Sequence, residues 1–181
     1  PEGVYGFTTS AATNEIAMFS PVRPDGKLAT IFAAGRPGLV ADVDLHWDAG
    51  RFLFTKADAT NWKVFEMRPD GSGLRQVSQM PDDVDSFDAC YLPNGKILYD
   101  STACFHGVPC VGGGDLVGNL FTSDADGKNV RQICFDQDHN WCPTVLNDGR
   151  LLYTRWEYSD LPHYFSRHLF HMNPDGTNQT E

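Results

Sequence analysis

Four of the six histidines fall between His139 and His171, among Trp141, Arg155, Trp156, Glu157, Tyr158, Asp160, Tyr164 and Arg167. Imidazole and carboxylate form the donor set of zinc and related divalent ions. His139, Glu157, Asp160 and His163 are therefore candidate metal ligands, with His163 beside Glu157 or Asp160 the tightest grouping, although their spacing matches no established metal motif. A second chemistry needs no metal. Trp141, Arg155 and Trp156, with His106 from a separate loop, could hold an organic ligand or the surface of a partner. A third reading is structural: Trp156 and Tyr164 fill space between layers while Arg155 pairs with Glu157 or an aspartate. The stretch WEYSDLPHYFSR (residues 156–167) is longer than a hairpin link requires, which suggests a surface loop, and loops on a rigid scaffold are where function concentrates.

A second chemical series is acidic. Asp42, Asp44, Asp82, Asp83, Asp85, Asp88, Asp136 and Asp138 recur where each repeat begins its first strand-like run, and His139 takes the place of Asp85 when Gly149 is aligned with Gly95. Converging carboxylates would suit Ca²⁺. Aspartates in such turns also accept backbone N–H groups, which is the structural alternative. Nucleophilic catalysis has no G-x-S-x-G elbow to rest on, and Cys104 and His106 are too close in sequence to form a dyad by themselves. The run GVPCVGGG (residues 107–114) has the glycines of a phosphate loop but lacks G-K-[ST].

The elements that must position these residues are written as a repeated phrase. Apolar pairs (Ile16 and Met18, Val64 and Phe65, Leu120 and Phe121, Leu169 and Phe170) precede Asp-Gly turns at Gly26, Gly71, Gly127 and Gly176, spaced 45, 56 and 49 residues apart. An interleaved turn series at residues 48–51, 94–96 and 148–150 leads into RFLFT, KILYD and RLLYT. Asp-Gly between strand-like runs signals a hairpin, and two hairpins per period of about 40–50 residues make the four-stranded blade of a β-propeller. The chain is therefore expected to be all-β, a propeller of about four blades of four antiparallel strands. A half blade is expected at 14–32 and blades at about 40–79, 84–134 and 138–181, forming a minimal or partial ring. A β-sandwich is the competing architecture. The insertion ACFHGVPCVGGGDLVG (residues 103–118) accounts for the 56-residue spacing. Residues 1–13 read as an arm, or as a strand completing another blade. Open blade edges would favour association, including with a second copy.

A net charge of −10 argues against a nucleic-acid partner, and no apolar run approaches the ~20 residues of a membrane span. The chain opens at Pro1, as a processed protein or an excised piece would. Five cysteines leave at least one without a partner in the chain. Cys104 with Cys110, and Cys134 with Cys142, could form disulfides; buried free thiols are the alternative. No C-x-x-C-H is present, so the chain carries no c-type haem attachment of its own.

LPNGKILYDST (residues 92–102) and LNDGRLLYTRWE (residues 146–157), each followed by an M-x-P-D-G-type turn, resemble TolB-type (PD40) propeller repeats. Residues 136–179, with SPVRPDGKL at 20–28, more narrowly resemble the propeller domain in the middle of hydrazine synthase alpha subunit-like proteins. The resemblance implies a propeller that sits between haem-bearing domains and lends side chains to a neighbouring haem and metal site. On that implication Tyr158, His163 and Tyr164 become candidates to face a haem supplied by another domain, since Tyr and His are both axial ligands. It also implies other domains or subunits as partners and a periplasmic or extracellular location. The leading expectation is a non-catalytic scaffold presenting a rim loop to a partner domain or ligand. The alternative is a propeller that contributes ligands to a haem or metal redox centre.

Overall fold

The structure, a computed structural model, describes residues 14–35, 38–57, 61–108, 112–157 and 167–181. Their strands form four antiparallel sheets. The first pairs β1 (Glu15–Ser20) with β2 (Lys27–Ala33). The second runs β3 (Leu39–Leu45), β4 (Phe52–Ala57), β5 (Trp62–Met67) and β6 (Arg75–Gln76). The third runs β7 (Ser86–Tyr91), β8 (Ile97–Ser101), β9 (Asn119–Ser123) and β10 (Arg131–Gln132). The last holds β11 (Asn140–Val145), β12 (Leu151–Trp156) and β13 (Arg167–Met172). Each sheet is a blade or part of one, in the sequential up-and-down order a propeller requires.

Both faces of a middle blade are covered by its neighbours, so its second strand reads as an apolar run rather than an alternation. Along β8, Leu98 turns to the core shared with the last blade, beside Leu120, Leu151 and Tyr153. Ile97 and Tyr99 turn to the core shared with the preceding blade, beside Leu53 and Val64. The fourth strands are short: β6 and β10 have two residues each. The last blade's fourth strand is reduced to the bridge between His171 and Thr180.

The two turn series differ in their neighbours. Asp48, Asn94 and Asp148 accept the amides of Gly50, Lys96 and Arg150 at 2.8, 3.1 and 3.1 Å. Gly95 and Gly149 take the left-handed backbone there, and Ala49 does so in the first of these turns, at φ 54°. The Asp-Gly turns need glycine for a further reason. A Cβ on Gly127 would strike the Val77 carbonyl, and one on Gly176 the Ile133 carbonyl. Each of these two turns thus rests on the fourth-strand end of the blade before it.

Every innermost strand carries a register break, between Ala41 and Asp44, Phe87 and Cys90, and Trp141 and Thr144. Asp42, Asp88 and Cys142 sit in these bulges at φ 54°, 52° and 53°. Cys90, Cys104, Cys134 and Cys142 are free thiols. The Cys134–Cys142 pairing is therefore not made: Cys134 packs in the core against Met172, with its Sγ 3.9 Å from Sδ, while Cys142 occupies the exposed bulge of β11. Cys110 and the N-terminal arm lie outside the described residues.

Candidate functional site: one rim and the channel wall

In an up-and-down blade the links from second to third strand lie at the same end as the links from fourth strand to next blade. That end collects the long insertion after β8, the link from β12 to β13 and the junction before β11. His139, Trp141 and Trp156 meet there in a stack. The His139 ring lies 4.6 Å from Trp141 and 5.7 Å from Trp156, with the two indoles within 6° of parallel. Val108 and Val117 of the insertion pack against Trp156, and the Arg167 guanidinium stands 5.7 Å over Trp141.

Arg155 sits on the neighbouring position of β12, whose alternation carries its side chain away from Trp156. It pairs with Asp136 at 2.8 Å and Glu157 at 3.0 Å, and lies over Phe170. The structural reading thus describes Arg155. Asn140 also donates to Asp136, at 3.0 Å. His106 is exposed on the insertion, where its carbonyl takes the Val117 amide at 2.8 Å.

His139 Nδ1 accepts the Gly118 amide at 2.9 Å, so its proton is assigned to Nε2. Burial, reinforced by the Arg167 charge, pulls its pKa down to about 4. His139 is therefore a neutral, hydrogen-bonded part of the blade junction at physiological pH. Of the two described members of the metal-ligand set, His139 has its Nδ1 lone pair on the Gly118 amide and Glu157 pairs with Arg155 through Oε1. Among the described residues no three His, Cys, Asp or Glu side chains stand in metal-holding geometry. Tyr158, Asp160, His163 and Tyr164 lie outside the described residues.

The acidic series divides by role. Asp85 Oδ1 accepts the Trp62 amide at 2.8 Å and Asp44 Oδ2 the Tyr91 amide at 3.0 Å, both across blade junctions. Asp42 and Asp88 occupy the bulges of the inner strands. The Asp88 amide donates to Thr55 Oγ1 at 3.0 Å and helps hold Asp42, while Asp88 in turn takes hydrogen bonds from Cys142. Burial, then the Asp42 charge, raises the Asp88 pKa to about 6. Asp100 is wholly buried and neither of its carboxyl oxygens has a partner. Burial and the charges of Asp88 and Asp42 push its pKa far above the carboxylate range.

Asp100 was not among the acidic candidates. The available signal was its position in KILYD, where the sibling runs RFLFT and RLLYT carry Thr55 and Thr154. A second network also escaped the sequence. Tyr91 donates to Glu66 Oε1 at 2.9 Å and Arg75 Nε to Oε2 at 2.8 Å, with His46 edge-on to the Tyr91 ring.

No protein-family model matches the chain, and no match is found among curated proteins. Solved structures do match. Hydrazine synthase of Kuenenia stuttgartiensis superposes with a TM-score of 0.70 at 17% identity, over 84% of this chain and 26% of that one. TolB of Acinetobacter baumannii gives 0.61 at 13% identity, over 93% of this chain and 42% of that one. A nidogen/laminin complex gives 0.60 at 14% identity, over 86% of this chain and 52% of that one. The chain thus spans between a quarter and about half the length of these three. The fold is that of a TolB-like β-propeller resembling the one in hydrazine synthase.

Proposed function

We propose that the chain is a scaffold and binding segment of a larger extracytoplasmic propeller protein of the hydrazine synthase alpha subunit-like kind. Its rim of long links is the face turned toward a partner domain or subunit. The observation that carries this reading is one aromatic stack at that rim, reached by the insertion and by Trp156 and Arg167, the described residues on either side of the link from β12 to β13. The insertion lays Val108 and Val117 against Trp156, and the link bearing Tyr158, His163 and Tyr164 joins Trp156 to Arg167. The accessible part of this stack is half-buried Trp141 with the exposed Arg167 guanidinium over it, a rigid pair backed by buried Trp156 and His139 and made of residue types that dominate interface energetics.

The test is partner capture on the intact parent protein. Trp141→Ala and Arg167→Ala are expected to weaken association with the neighbouring domain by at least about tenfold. Asn94→Ala, in a turn at the other end of the blade, is expected to leave it unchanged. Equal affinity for all three variants would refute the rim as the contact face. A metal and haem assay on the same preparation addresses the redox alternative. Stoichiometric haem or zinc whose spectrum shifts in His163→Ala or Tyr158→Phe would replace the scaffold reading with the cofactor one.

A further inference from the structure

The blade of β3 to β6 carries, at the end away from the rim, a polar cavity of about 290 Å³ lined by Arg51, Arg68, Arg75, Glu66, Asp48 and Gly73. The turns before β4 and after β5 bring Arg51 and Arg68 there, and β6 brings Arg75. Three guanidinium groups thus face two carboxylates, in a chain whose net charge is −10. Both carboxylates are already engaged. Glu66 takes the Tyr91 hydroxyl at 2.9 Å and Arg75 Nε and Nη2 at 2.8 and 2.6 Å. Asp48 takes the Gly50 amide at 2.8 Å and lies 2.8 Å from His46 Nδ1. Arg51 Nε stands 3.6 Å from Glu66 Oε1, longer than a hydrogen bond, and is a buried donor without an acceptor. Arg68 Nη1 has a long contact with Ser72 Oγ, at 3.5 Å.

The sibling blades balance the same position. Lys96 and Arg150 directly precede β8 and β12 as Arg51 precedes β4. Lys96 meets Asp124 at 2.6 Å and Arg150 meets Asp148 at 2.8 Å. With Gly71 aligned on Gly127, Arg68 takes the place of Asp124, so a second cation stands where a sibling has the counter-ion. Gly73 takes the place of Asn129. It has φ 70°, and a Cβ there would lie 3.0 Å from Arg68 Nη1, so glycine leaves room for the guanidinium. Guanidinium forks match the oxygens of phosphate and carboxylate. Three of them, arriving from three segments, suit the larger oxygen count and charge of phosphate. We propose that this cavity binds phosphate, free or as the monoester of a small molecule. Arg51 and Arg68 are its principal donors, and Arg75, held by Glu66, closes the third side. The cavity lies at the end away from the aromatic rim, so it stands or falls independently of the partner face.

NMR titration of the full chain, following the arginine Nε–Hε signals at physiological ionic strength, tests this. Inorganic phosphate and glycerol phosphate are the probes, and acetate is the carboxylate control. Saturable shifts of Arg51 and Arg68 are expected with phosphate, at an affinity at least about tenfold above that for acetate. Tighter binding of glycerol phosphate would assign the site to a monoester, and tighter binding of inorganic phosphate to the free ion. Arg68→Asp restores the acid of the sibling blade and gives Arg51 a counter-ion, so it should fold and lose the binding. Arg51→Ala should weaken it at least about tenfold. Lys128→Ala, at an exposed lysine paired with Asp126, should leave it unchanged. Unsaturable shifts, or equal affinity in the parent and Arg68→Asp, would overturn the proposal. So would acetate binding as tightly as phosphate, or an equal loss in Lys128→Ala, which would mark general charge attraction. If Arg51→Ala fails to fold, the exposed Arg68 position decides through Arg68→Asp.

Discussion

His139 holds the Gly118 amide at 2.9 Å in the place where Asp85, one blade earlier, holds the Trp62 amide at 2.8 Å. Two unlike side chains thus do the same work, tying the junction before a blade to the start of the previous blade's third strand. The imidazole brings a pH dependence of its own. Its folded pKa of about 4 lies below the ordinary 6.5, so the unfolded chain takes up the proton first as pH falls. The stability due to the neutral ring is present above pH 6.5 and is lost as pH drops toward 4, with a ceiling of ~3 kcal/mol. His139→Asn keeps an acceptor and removes the titration. Urea unfolding at pH 7.5 and 4.5 should show a smaller fall for this variant than for the parent, and His139→Ala should lose about 2 kcal/mol at pH 7.5.

Asp88 carries the opposite sign. Its pKa is raised from 3.8 to about 6, so the folded state holds the proton more tightly and stability falls as pH rises from about 4 through 6. Asp88→Asn should stabilise the protein by roughly 1–2 kcal/mol at pH 7.5 and have little effect at pH 4. A loss of stability at pH 7.5 with the hydrogen bonds of Cys142 retained would contradict this account of the channel wall.

The two kinds of turn glycine make a paired comparison. Gly95 and Gly127 have φ 82° and 83°. A Cβ on Gly95 meets nothing within 4 Å, whereas one on Gly127 strikes the Val77 carbonyl. Gly95→Ala should cost only the left-handed penalty of about 1–2 kcal/mol, which the chain already accepts at Ala49. Gly127→Ala adds a backbone clash across two blades and should cost at least about 3 kcal/mol. Denaturation midpoints of the two variants test the difference directly.

Glu66 is the shared acceptor of Tyr91 and Arg75 beneath the surface between the two four-stranded blades. Tyr91→Phe should cost about 1 kcal/mol and Glu66→Gln about 2 kcal/mol, because the latter leaves Arg75 without its counter-charge. The double variant should cost less than the sum. Additive costs in a double-mutant cycle would separate the two contacts.

What was legible in the chain was what is local. Asp-Gly between apolar runs sets a turn through neighbouring residues alone, and RFLFT, KILYD and RLLYT announce strands covered on both faces. The contacts that join blades are not local. Nothing beside Gly176 tells that the Ile133 carbonyl rests on it, and nothing in KILYD tells that Asp100 has no partner. The stack could be counted out as residue types near His139, but its parallel rings depend on β11 and β12 arriving with their aromatics on one face. Arg155 beside Trp156 looked like part of the same site, and strand alternation separated them.

The bulges at Asp42, Asp88 and Cys142 also bear on how such a chain can lengthen. Neighbouring blades are tied in both directions, Thr55 and Asp44 accepting amides of the following blade while Asp85 and His139 accept amides of the preceding one, so the unit of inheritance is the seam rather than the sheet. A duplication cut anywhere within one period reproduces a complete seam. Blade number can therefore drift while every joint stays matched, and side chains at a joint are free to change as Asp85 and His139 have, provided the acceptor survives.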